Sequence, residues 1–164
     1  MSSAPAPRRR VAGFTLIEMV VVVAIVGILA AAAQPMLTLA VRRQKEFELH
    51  RALRALRGAI DAYHQAAIAG KIVVKPADDD DGYPATLQAL ADGVPSAIGK
   101  DKRVYFLRSV PRDPFADAAT PAAQTWGLRS YESPPDAPQA GRDVFDVYSL
   151  ATGNALDGQP YRSW

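Results

Sequence analysis

Positions 11 to 41 carry a single charged residue, Glu18, and this apolar run constrains the chain more than any other feature. Its densest part, Phe14 to Ala33, has the length of a membrane span. A helix of about 20 residues rises about 30 Å, the hydrocarbon thickness of a bilayer. Arg8, Arg9 and Arg10 stand in front of the run, and the next basic residue behind it is Arg42. That asymmetry puts the N-terminus in the cytoplasm and the following segment outside it. The valines at 20 to 23 are poor helix formers in water. In lipid they are tolerated, because the backbone must satisfy its own hydrogen bonds there.

Two familiar readings of such a run fail. A cleaved secretory signal has an apolar core of about 7 to 15 residues, shorter than this one. A lipoprotein signal needs a cysteine, and the chain has none. A plain single-pass anchor fits the length but gives no reason for Glu18. Acids inside a membrane are costly and have a partner as a rule. No basic residue lies within one turn of Glu18 inside the run. Cleavage just before Phe14 would supply one, because it creates an ammonium group four positions from Glu18. That separation suits an i, i+4 contact, or a contact between the amine of one copy and the carboxylate of another. A carboxylate in the first helical turn is also favoured by the helix dipole.

The residues Gly13-Phe14-Thr15-Leu16-Ile17-Glu18, behind Arg8 to Arg10, resemble the class III signal of type IV pilins and pseudopilins. The resemblance implies cleavage between Gly13 and Phe14 by a prepilin peptidase, and N-methylation of Phe14. It gives Glu18 the role of neutralising the terminal amine of a neighbouring subunit during assembly. It places Pro35 where the family often has a proline that kinks or loosens the helix, as an internal proline does by removing a hydrogen bond.

Beyond the apolar run, the sequence predicts a continued amphipathic helix to about Ala69, stopped at Gly70. Leu49, Leu53, Leu56, Ile60, Tyr63 and Ala67 are spaced 4, 3, 4, 3 and 4 residues apart and draw one stripe. Core packing is the ordinary meaning of such a stripe, and here it provides the surface for a small sheet. Arg42, Arg43, Lys45, Glu46, Glu48, Arg51, Arg54 and Arg57 occupy the other faces. The only histidines, His50 and His64, lack zinc-type spacing and read as packed or solvated.

The remainder reads as an α+β head. Asp78 to Asp81 form an acidic loop, most simply a solvated one, with calcium as a minor alternative. A short helix is expected over Tyr83 to Leu90, a proline-bounded turn over Val110 to Phe115, and strands over Trp126 to Tyr131 and Val144 to Ser149. In the second strand, Phe145 and Val147 share one face, Val144 and Tyr148 the other. The intervening Ser133 to Pro138 cannot be regular structure.

The expected fold is therefore α+β: a long N-terminal helix, half membrane-spanning and half amphipathic, packed on a small antiparallel sheet. The divisions are a cleaved basic leader at 1–13, an assembly segment at 14–35, an amphipathic segment at 36–70 and a periplasmic head at 71–164. Lys and Arg number 19 against 17 Asp and Glu, and three of the arginines sit in the leader. Without them 19 − 3 = 16 basic residues face 17 acidic ones, which leaves no basic face for nucleic acid. The head must hold without disulfides. No nucleophile elbow, phosphate loop or zinc spacing points to an enzyme.

The order of Tyr83-Pro84 with Leu87 and Leu90, then Pro111 to Phe115, then Asp146 to Ser149 and a final tryptophan is similar to the major pseudopilin (G-type subunit) of type II secretion. That resemblance implies a homo-oligomeric helical filament with other pseudopilins and an inner-membrane secretion platform as partners. It implies residence in the inner membrane, in contact with lipid, before assembly into a periplasmic pseudopilus that helps drive protein export. A pilin or minor pilin of a type IV pilus is the alternative, and a membrane-anchored periplasmic enzyme or binding domain is the alternative of another class. The family's head often binds calcium in an acid-rich C-terminal loop. Here Leu150 to Gly158 offer only Asn154 and Asp157, with Asp146 nearby in sequence. Calcium takes six to eight oxygens, so a strong site is not expected. Tyr161 and Trp164 are expected to hold the loop by packing back on the sheet.

Overall fold

The structure is a computed structural model that describes residues 13–74, 81–99 and 101–164, with the backbone alone at 32–34. It is α+β, a long N-terminal helix followed by small antiparallel sheets. The chain divides into two units, one ending at Val41 and the other running from Arg42 to Trp164.

Helix α1 spans Leu16–Ile68. The helical assignment passes through Pro35 without a break, and the Thr38 hydroxyl donates to the Pro35 carbonyl at 2.9 Å. At the far end Gly70 takes φ 64°. The Lys71 N–H closes on the Ala66 carbonyl and the Gly70 N–H on the Ala67 carbonyl, so two of the last-turn carbonyls are satisfied. The expected stop at Gly70 is the observed one.

In the second unit the stripe of α1 is the core. Leu49, Leu56 and Ile60 are fully buried, Leu53 and Tyr63 almost so, and Ala67 half-buried. They pack with Leu87, Leu90, Trp126, Val144, Val147 and Tyr161 from the rest of the head.

The short helix α2 spans Leu87–Asp92, not Tyr83 to Leu90. Thr86 is the reason: its hydroxyl accepts from the Ala89 N–H, the N-cap arrangement, and so sets the start after Pro84. Pro84 instead lies buried ahead of the helix, and its carbonyl accepts from the Val144 N–H at 2.8 Å. Gly93 ends α2 at φ 75°.

A first sheet, unforeseen in the sequence, pairs β1 (Val94–Pro95) with β2 (Arg103–Val104). The Arg103 guanidinium donates to the Gly93 carbonyl beside it at 2.6 Å. The second sheet pairs β3 (Trp126–Arg129) with β4 (Asp146–Ser149), antiparallel, with Trp126 opposite Ser149 and Arg129 opposite Asp146. Both strands are shorter than expected. After Arg129 the backbone leaves the ladder, Ser130 N–H going to Gln139 and Tyr131 N–H to the Asp143 carboxylate. Within β4, Val147 and Ser149 point inward while Asp146 and Tyr148 are half-exposed. Val144 is buried too, although it belongs to the opposite parity, because it precedes the strand and docks on Pro84. Gly127 gives the Tyr148 ring its place, since a Cβ there would strike that ring.

Candidate functional site: the first turn of the apolar helix

The exposed apolar residues of the first unit form one helical surface. Leu16, Ile17, Ile28, Leu29 and Leu37 are all more than half exposed. An 18-residue window of α1 is long and apolar enough to cross a membrane, and none of it is buried. In water such a surface would be strongly unfavourable; lipid or like helices are its natural surroundings.

Gly13, Phe14 and Thr15 precede the helix, and all three are exposed. Thr15 caps it: its hydroxyl accepts from the Glu18 N–H at 3.3 Å. Thr15 and Glu18 make the Thr-x-x-Glu pattern of a capping box. This local role for Thr15 was readable in the sequence, but the charge argument about Glu18 obscured it. The Glu18 carboxylate has no hydrogen-bond or ion-pair partner among the described residues, so the box is formed in one direction only. Among the described residues the helix start uses nothing upstream of Thr15. Pro35 lies farther along the same helix, exposed. The arginines at 8 to 10 lie outside the described residues.

The other candidates fall elsewhere. His50 stacks on Trp164 with ring centres 3.9 Å apart, and His64 stacks on Tyr83 at 4.0 Å. Both are packed, as expected. His64 Nδ1 is buried, and among the described residues no group is hydrogen-bonded to it. Asp78 to Asp80 lie outside the described residues, while Asp81 pairs with Arg142 at 3.2 Å. Among the described residues no three His, Cys, Asp or Glu side chains converge as metal ligands.

The weak calcium candidates are partly engaged by other groups. The Asn154 carbonyl accepts from the Arg42 guanidinium. One oxygen of Asp157 accepts from the Gln159 N–H at 2.9 Å. Asp146 is salt-bridged by Arg57 at 2.8 Å and by Arg129 at 3.6 Å. Together Asn154 and Asp157 bring one carboxylate to this loop, whereas calcium commonly takes several. Tyr161 and Trp164 pack inward against β4, as expected, and helix α1 holds them as well. The Tyr161 hydroxyl donates to Glu46, Trp164 stacks on His50, and Arg57 donates to the Trp164 carbonyl. Arg162 over the Tyr148 ring adds a further contact to β4.

An exposed apolar helix capped by Thr15, with an acid in its first turn that has no partner among the described residues, has the length and composition of an N-terminal membrane anchor. A family model described as the prokaryotic N-terminal methylation motif matches residues 8–34, and this match supports a type IV pilin-like protein. The motif implies processing by a prepilin peptidase and assembly into a filament. No curated protein and no solved structure matches the chain.

Proposed function

We propose that the chain is a structural subunit of a type II secretion pseudopilus. In this reading it is cut between Gly13 and Phe14, methylated at Phe14 and assembled through Glu18. The observation that carries it is the Glu18 carboxylate, without a partner among the described residues, in the first turn of an exposed apolar helix that begins just behind Gly13. Because the cap is Thr15, loss of residues 1 to 13 leaves the helix start intact. The new amine at Phe14 then offers the charge that Glu18 lacks. Within one subunit or between two, that pairing lowers the cost of an acid among apolar helices.

The head supports a repeating body subunit. It carries its own core without cysteine, whereas pilus pilins are often stapled by a C-terminal disulfide. The inner-membrane platform and the other pseudopilins are the partners this function requires, with the head on the periplasmic side. Replacing Glu18 by alanine in cells tests the reading. Loss of filaments, with the protein still made and still cleaved, is the expected result; normal filaments would remove the proposed charge pairing.

A further inference from the structure

The C-terminal segment 150–164 lacks a regular element apart from a single 3-10 turn at Tyr161–Ser163. It nonetheless lies closed, with Ala155 and Tyr161 buried. Four hydrogen bonds to Arg42 and Glu46 of helix α1 hold it, besides the one from Arg57 to the Trp164 carbonyl. The Tyr161 hydroxyl and the Leu156 N–H both donate to one oxygen of Glu46, at 2.8 and 3.0 Å. Arg42 donates through Nε to the Tyr161 hydroxyl at 3.2 Å and through Nη2 to the Asn154 carbonyl. Arg42 and Glu46 are themselves an i, i+4 ion pair at 3.5 Å. Each residue therefore serves the loop and the other at once.

We propose that Arg42, Glu46 and Tyr161 form an ionic clasp that closes the C-terminal loop and does the work a bound cation would do in such a loop. The guanidinium sits on the Asn154 carbonyl, and its positive charge opposes a second cation there. The Glu46 side chain is 14% exposed, so its bonds act in a partly desolvated place, where they are stronger than on an open surface. Charge-assisted bonds to loop backbone, more than the exposed ion pair, supply the hold. The consequence is a head whose closure is independent of calcium. This inference concerns the head alone and stands whether or not the filament reading does.

Hydrogen exchange of the full chain in detergent tests it, read on peptides covering 150–164. Adding a calcium chelator or millimolar calcium is expected to leave the wild-type pattern unchanged. Glu46→Gln and Tyr161→Phe are each expected to speed exchange at 154–161 about tenfold, with β3 and β4 still protected. Tyr161→Phe keeps the buried ring, so it separates the clasp from the packing. Faster exchange on chelation alone, or unchanged exchange in both variants, overturns the proposal.

Discussion

The Ser149 hydroxyl donates to the Asp113 carboxylate at 2.5 Å, tying the end of β4 to the proline-bounded turn 36 residues earlier. Asp113 is 1% exposed and its other oxygen accepts from the Phe115 N–H at 2.8 Å. Its own N–H donates to the Thr125 hydroxyl. A buried acid is tolerated here because each of its oxygens has a donor. Trp126, which opens β3, reaches the same turn by donating from Nε1 to the Pro111 carbonyl at 2.8 Å.

Ser149→Ala should therefore destabilise the head by about 1–3 kcal/mol, since it leaves an acceptor of a buried acid unmatched. Urea unfolding followed by tryptophan fluorescence measures it. An unchanged midpoint would mean that the turn is held by its prolines alone.

Leu56→Ala should cost about 2–5 kcal/mol, as truncation of a fully buried leucine does. The same truncation at exposed Phe47, on the same helix, should leave thermal stability nearly unchanged. Equal effects at both positions would contradict the assignment of the stripe.

High pH should weaken the head. Burial raises the Tyr161 phenol above its ordinary 10.0; Arg42 pulls it back and Glu46 adds to the rise. Burial, and then the nearby Tyr131, Asp61, Asp143 and Asp81, raise Tyr83 as well. Both groups hold their protons more tightly folded than unfolded. Their contribution is whole below about pH 10 and is lost as pH climbs through the folded values. Denaturation between pH 9 and 12 checks this, with Tyr161→Phe expected to flatten the alkaline decline.

Local rules made some of this fold readable and left other parts hidden. The α1 stripe followed from spacing alone, because burial on one helix face repeats within a turn. Gly70 was readable as a stop for the same local reason. The pairing of β1 with β2 was not, since two residues per strand carry no alternation to detect. The start of α2 shifted because Thr86, not the proline, supplies the cap.

Long-range charge was the larger gap. Arg42, Glu46 and Arg57 looked like solvent-facing residues beside a stripe. Their partners lie about the chain's far end: Arg42 and Glu46 on Asn154, Leu156 and Tyr161, Arg57 on Asp146 and Trp164. No local pattern encodes a hydrogen bond across 119 positions. At the N-terminus the reverse held. Gly13, Phe14 and Glu18 are contiguous, and chemistry written in six neighbouring residues can be read without the fold.

The central claim is that a new amine is made at Phe14 to meet the acid at Glu18. Mass spectrometry of the N-terminal peptide from membrane-extracted protein tests it most directly. The account predicts a chain that begins at Phe14 and carries one methyl group on its terminal nitrogen. A mature chain that still contains Arg8 to Gly13 would contradict it.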